Sequence, residues 1–175
     1  AVDEERVRAV GAFEQVDDRA LRRAVAEIEH LVCSGGDRGV VGRLGPRALH
    51  GRRGLSRGDR VPCVVLARPF DDGNVGAAAR AMLNFGLSDL RLVDPTAHAQ
   101  SDEAVLRASG AAPILRRCET HETAADAVAD LQLVLATTAR PRESRIPVYA
   151  PREAMALAAA AIARGERVGL MFGSE

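Results

Sequence analysis

With 175 residues and an apolar share of 47%, the chain is long enough for one packed domain with an appendage and too apolar for wholesale disorder. Aromatic residues make up only 3%, with no Trp, which argues against an aromatic platform for stacking successive bases; a formal net charge of zero excludes a chain that is basic as a whole. All 24 basic residues are Arg, and their excess is local: residues 1–33 hold 5 Arg against 8 acids, residues 34–60 hold 7 against 2, and residues 61–175 hold 12 against 14.

In chain order, residues 3–33 show helical periodicity in two pieces, Val7/Val10/Phe13 and Leu21/Val25/Ile28/Leu31, separated by Asp17 and Asp18. Such helices can dock on the main domain or on a partner chain. Residues 34–60 hold 8 Gly and 7 Arg, a linker composition for which no fixed fold is expected. This stretch is either an electrostatic hold on nucleic-acid phosphates or a solvated tether.

From residue 61 the pattern alternates. Strands are expected at 61–67 (VPCVVLA), 89–94, 113–117, 132–138 and 167–172, with helices at 74–85, 102–109, 122–131 and 151–164. Ser101 opens the second helix, Pro151 suits the first turn of the fourth, and Gly86 and Gly165 suit helix ends. Strands alternating with helices imply an α/β fold with a parallel, doubly wound sheet, preceded by an N-terminal helical segment (1–33) and a linker (34–60). Ligands in such sheets bind at the carboxyl ends of strands. The loops to inspect are therefore 68–76, 94–101, 118–121, 137–150 and 173–175.

The first of these opens the stretch DDGNVGAAARAMLNFG at 71–86. Gly73 and Gly76 permit a close backbone approach, Asn74 can cap the helix, and the alanines leave Arg80 as the one large group on a smooth surface. An arginine beside the exposed N–H groups of a strand–loop–helix suits an anion, although the same pattern also describes a helix packed on a sheet with one solvated arginine. Thr137-Thr138-Ala139-Arg140-Pro141-Arg142 and Phe172-Gly173-Ser174-Glu175 follow the fourth and fifth strands; Gly173 would leave room for an adenosine-like group.

Several other candidates read as structural. Cys33, Cys63 and Cys118 are too scattered for a disulfide framework or a zinc site and read as reduced, mostly buried thiols, in keeping with the cytoplasm. His30, His50, His98 and His121 have no metal-ligand spacing, so no metal is expected. Asp71 and Asp72 sit at a turn, Asp126 and Asp130 on a solvated helix face, and Ser109 and Ser174 lack the hydrolase elbow. No apolar run approaches 18 residues, so no membrane span is expected.

Together GNVGAAARAMLNFGLSDLRLVDP (73–95), ASGA (108–111), ATTARPR (136–142) and RGERVGLMFGSE (164–175) closely resemble the SPOUT (α/β-knot) RNA 2′-O-ribose methyltransferases of the TrmJ/TrmH-like kind. The resemblance covers about residues 61–175. It implies S-adenosyl-L-methionine as cofactor, tRNA as substrate at the first nucleotide of the anticodon loop (position 32 type), and a homodimer. Residue by residue, it implies catalytic roles for Arg80 and Asn74, cofactor contacts for Thr137, Thr138, Ala139, Gly173 and Glu175, and RNA contacts for Arg80, Arg140 and Arg142. In that family the chain beyond FGSE threads a knot that completes the cofactor pocket and much of the dimer interface. The sequence, which opens without Met and stops at Glu175, reads as a fragment in which this part is truncated, and weak or no cofactor binding, poor stability and no activity are expected of residues 1–175 alone.

Chemically, a ribose hydroxyl holds its proton too tightly to attack unaided at neutral pH, so it needs alignment and stabilisation of developing charge. A guanidinium supplies charge, but with a pKa above about 12 it is a poor proton acceptor. Other readings remain: methylation of another tRNA position or of ribosomal RNA, a non-catalytic RNA-binding fragment using the 34–60 arginines, or a dinucleotide oxidoreductase. The last is disfavoured because the first loop lacks G-x-G-x-x-G.

Overall fold

The computed structural model describes residues 39–42, 61–137 and 148–173, the first group by its backbone alone. The strands are β1 Gly39–Gly42, β2 Cys63–Ala67, β3 Leu90–Val93, β4 Glu119–His121, β5 Leu133–Thr137, β6 Val148–Tyr149 and β7 Val168–Gly173. The helices are α1 Asp72–Asn84, α2 Asp102–Ala108, α3 Ala112–Arg117, α4 Ala124–Ala127 and α5 Pro151–Ala163. They build one sheet in the order β4-β3-β2-β7-β5-β1-β6. The five strands from β4 to β5 are parallel, and β1 runs antiparallel to both β5 and β6.

The handedness of the connections decides which face each helix covers. The passages β2→β3, β3→β4 and β5→β7 all step in one direction across the sheet, whereas β4→β5 steps back. Right-handed crossovers therefore put α1, α2, α3 and α5 on one face and α4 on the other. The core follows this division. Val64, Leu66, Leu92, Leu135 and Phe172 pack with the four helices on the first face, while Cys63, Val65, Val93 and Val134 pack with Ala127, Val128 and Leu131 on the second. The alternation is the two-residue period of each strand, apolar on both sides because both faces are covered.

α1 lies very close to α2. A Cβ on Gly76 would fall 2.1 Å from the Ala104 carbonyl oxygen, so only glycine allows the crossing. Beyond α1, Gly86 adopts φ +72, as does Gly165 with φ +79 after α5, each a left-handed helix ending expected from the sequence. Ser101 accepts the Ala104 N–H and opens α2, and Pro151 stands in the first turn of α5.

Four local expectations are corrected. Residues 112–117 form α3 instead of a strand: Pro113 fits a helical first turn and Arg116 and Arg117 complement its C-terminus, while the third parallel strand is β4. The helix expected over 122–131 is the single turn α4, capped by the Thr123 hydroxyl, which accepts the Asp126 N–H. α1 begins two residues early because Asp71, not Asn74, is its cap: Asp71 Oδ1 accepts the Asn74 N–H at 2.6 Å. Within the stretch expected to have no fixed fold, Gly39–Gly42 is a strand whose register sets Gly39 opposite Thr137 and Gly42 opposite Val134. The valine pair at its centre has the β-branched character that the surrounding glycines and arginines obscure. The helices expected in 3–33 lie outside the described residues.

Candidate cofactor and RNA site

The carboxyl edge of the central strands opens into a cleft. Leu66, Ala67, Val75 and Phe172 give it an apolar wall, and Arg68, Asp71, Asn74 and Gly173 bring polar groups and bare backbone to it. Two of the residues expected at the site, Asn74 and Gly173, therefore meet there. Thr137 ends β5, the strand hydrogen-bonded to β7, and so stands at the same edge. Arg80 is exposed on α1 but does not line the cleft. It lies about 12 Å along the helix axis from Asp72, at 1.5 Å per residue. Thr138, Ala139, Arg140, Arg142 and Glu175 lie outside the described residues.

Gly173 also has a packing reason to be small. A Cβ there would lie 2.7 Å from the Ala67 Cβ and 2.8 Å from the Ala67 carbonyl oxygen. Its missing side chain therefore makes room for β2.

The loops at this edge are tied to one another. The Arg68 N–H donates to the Val93 carbonyl at 2.7 Å, and the Pro69 carbonyl accepts the N–H groups of both Thr96 and Ala97 at 3.0 Å. Asp72 Oδ1 accepts the His98 N–H at 2.7 Å. Hydrogen bonds from the Ser101 hydroxyl and then from that N–H hold the Asp72 carboxyl below the usual aspartate range. Arg68 and Asp94, each one residue past a strand, adopt φ +50 and +44, conformations disfavoured for side chains with a Cβ. Arg68 and Phe70, which the sequence motifs do not single out, also line the cleft. An aromatic residue between Pro and Asp in a polar loop was the available signal.

The opposite edge holds the charged cluster that the sequence concealed. Arg91, only 5% exposed in the middle of β3, donates to both oxygens of Asp89 and both of Asp130, and to the Ala127 carbonyl at 2.7 Å. Arg167 adds hydrogen bonds to Asp130 and Asp89. Burial works against the Arg91 charge, but the bonds to Asp130 and Asp89 outweigh it and the guanidinium is held more firmly protonated. Asp130 is thus an ion-pair partner and not the solvated helix residue expected. Beneath the cluster, burial pushes the Cys63 thiol up to about 12, so it is not a nucleophile. Cys118 is half-buried. His121 is half-buried at the end of β4, its Nε2 3.5 Å from a Glu119 carboxylate oxygen. Among the described residues there is no group of three or more potential metal ligands, and no helix long and apolar enough to cross a membrane.

The model of the SpoU rRNA methylase family matches residues 62–175. The chain belongs to that family. Among curated proteins, it is 41% identical over 112 residues to the tRNA (cytidine/uridine/adenosine-2'-O-)-methyltransferase TrmJ of Pseudomonas aeruginosa, a match covering 64% of this chain and 43% of that one. It is 38% identical to the tRNA (cytidine/uridine-2'-O-)-methyltransferase TrmJ of Citrobacter koseri, over 64% of this chain and 45% of the relative. The chain thus spans less than half the length of these relatives. Among solved structures, TrmJ from Z. mobilis superposes with a TM-score of 0.58 at 44% identity, covering 65% of this chain and 49% of that one. A probable methyltransferase from Bordetella pertussis gives 0.58 at 35%, covering 65% and 67%. The parallel α/β sheet is accordingly of the SPOUT methyltransferase kind.

Proposed function

We propose that the chain is the catalytic part of an S-adenosylmethionine-dependent RNA 2′-O-ribose methyltransferase acting on tRNA, at the first nucleotide of the anticodon loop, as a cytoplasmic homodimer. The observation that carries this reading is the meeting of two family motifs, through Asn74 and Gly173, in one cleft at the carboxyl edge of β2 and β7, in a chain that matches the family from residue 62 onward. The cleft suits the cofactor chemically. Its apolar wall accommodates a purine face, and the Asp71 carboxylate and the Asn74 amide offer acceptors to hydroxyl and ammonium groups. Thr137, Thr138, Ala139, Gly173 and Glu175 would complete the hold on it.

Bound there, the cofactor would supply an electrophilic methyl group on a sulfonium. The chain's own residues would do the rest. The Asp71 cap fixes the start of α1 and with it Asn74, which positions groups at the mouth of the cleft. Arg80 is exposed, with no hydrogen bond or ion pair to its guanidinium among the described residues. It is available to hold an RNA phosphate, and would stabilise charge developing on the 2′-oxygen only where the bound RNA or the partner protomer of the proposed dimer brings that oxygen to it. Arg140 and Arg142 would extend that hold along the backbone.

The test is nucleoside mass spectrometry of unmodified tRNA incubated with S-adenosylmethionine. It uses the 175-residue chain and a fusion that joins the whole of it to the part of the Pseudomonas relative that follows the matched segment. A 2′-O-methylated nucleotide in the anticodon loop, lost with Arg80→Ala, is the expected result. The family model's own description, which names rRNA where the curated relatives name tRNA, favours one second reading. Methylation of ribosomal RNA but not of tRNA would establish it.

A further inference from the structure

Phe70 is one of four phenylalanines in the chain and is 78% exposed, yet it lines the cleft. A solitary apolar side chain on a protein surface needs no explanation. This one differs because the loop that presents it is held from several sides. Arg68, two residues before, sits in a left-handed conformation with φ +50 while its N–H is bound to Val93. The Pro69 carbonyl takes two N–H groups from the neighbouring loop. Asp71, one residue after, is fixed as the cap of α1, and Asp72 is bound to the His98 N–H. A loose loop would fold its phenyl ring onto the adjacent apolar wall, whereas this loop is strained and pinned with the ring turned to solvent. Backbone strain kept at the rim of a cleft is an observation from which function can be inferred.

We propose that Phe70 is a base-stacking residue: an unpaired nucleobase of the RNA substrate lies on its ring, with the Arg68 guanidinium against the neighbouring phosphate. The inference rests on the methyltransferase reading and adds to it a residue that recognises the substrate. Three features favour a nucleobase as the occupant. The ring is flat and accessible, and unpaired bases are recognised on such rings. Arg68 is exposed on the same rim, with no partner for its guanidinium among the described residues. The nearest acid on the loop, Asp71, has an oxygen bound to the helix N–H, which draws its charge toward α1. A base within a duplex could not reach the ring, so the target nucleotide or its neighbour must be unpaired or flipped out.

The 175 residues contain no Trp, so Phe70→Trp adds an indole at the site, and the same form with Phe70 intact serves as the blank for any other indole. The experiment uses whichever form of the protein transfers methyl groups in the assay above, so failure of that reading appears first and separately. With Phe70→Trp, unmodified tRNA should quench the indole fluorescence saturably, with tRNA affinity close to wild type. With Phe70→Ala, tRNA affinity should fall roughly 5- to 150-fold, the range that loss of one stacked base gives, while cofactor affinity stays unchanged. Unchanged fluorescence despite tRNA binding would overturn the stacking role and leave the methyltransferase reading intact. Quenching by S-adenosylmethionine alone would overturn it too, since the ring would then belong to the cofactor. No RNA binding and no methyl transfer by either form would remove both.

Discussion

The two edges of the sheet are polar in opposite ways. At the amino edge, Asp89, Arg91, Asp130 and Arg167 come from segments far apart in sequence and satisfy one another, two positive charges against two negative. At the carboxyl edge, Arg68 and Asn74 are exposed, with Arg80 exposed farther along α1, and the hydrogen bonds present at that edge are spent on holding loops and capping a helix. Charges that neutralise each other inside a fold tie strands together and offer little to a ligand. Exposed polar groups on a rim held in place by other bonds offer the reverse. The difference separates residues that make the fold from those proposed to use it, although arginine occurs at both edges.

The largest effect that would sharpen this contrast is at Arg80. Arg80→Ala should lower methyl transfer about 10²- to 10³-fold, as loss of one preorganised donor does, and leave the unfolding free energy from urea denaturation within about 0.5 kcal/mol of wild type. A large loss of stability instead would make Arg80 structural. Arg91→Leu should do the opposite. Removing the buried partner leaves Asp89 and Asp130 to Arg167 alone; breaking a buried pair costs about 3–5 kcal/mol, and the partly exposed carboxylates with their remaining partner reduce that to about 2 kcal/mol. Per folded molecule, methyl transfer should be unchanged.

Gly173 tests the contrast from inside the site. If its role is to admit Ala67, Gly173→Ala should cost about 2 kcal/mol in denaturant unfolding through overpacking. Ala67→Gly, which removes the nearer clash, should restore part of it. A raised cofactor Kd at unaltered stability would instead return Gly173 to the contact role that the sequence implied.

Much of this architecture was legible in the sequence. Apolar runs such as CVVLA and VGLMF located the strands, and residues such as Ser101, Pro151 and Gly86 located helix ends, because those features depend on neighbours in the chain. The strand expected over 113–117 is a helix because so short a run of apolar and basic residues fits either element equally well, and Pro113 decides between them. The ion-pair cluster was not legible: Arg91 interrupts a run that otherwise reads as a plain strand, and its partner Asp130 lies 39 residues away. At the site, the motifs pointed to Asn74 and Gly173, which the fold brings to one cleft. The pinned loop that exposes Phe70 depends on bonds between β2 and β3 exits that no local pattern encodes.

The smallest expected effect concerns two carboxylates, one at each edge, whose pKa values are both lowered but by different donors. For Asp130, burial raises the pKa, but the Arg91 hydrogen bond and the Arg91 and Arg167 charges lower it further than burial raises it. A carboxyl depressed in the folded state stabilises fully above its unfolded value of about 3.9, and that contribution is lost as pH falls through the folded value. The urea midpoints of wild type and Asp130→Asn should therefore differ by a constant amount from pH 7 to 5 and converge below about pH 4. The side chain is 37% exposed, so solvent screening keeps the pH-dependent part below about 1 kcal/mol. Added salt should shrink it, because its source is charge. Asp72 is lowered chiefly by the Ser101 hydroxyl and the His98 N–H. Its effect on the titration of the loop should be nearly independent of salt. A gap between wild type and Asp130→Asn that persists unchanged to pH 2.5 would mean that Asp130 acts by shape alone, and that the amino edge is less an ion-pair device than its geometry implies.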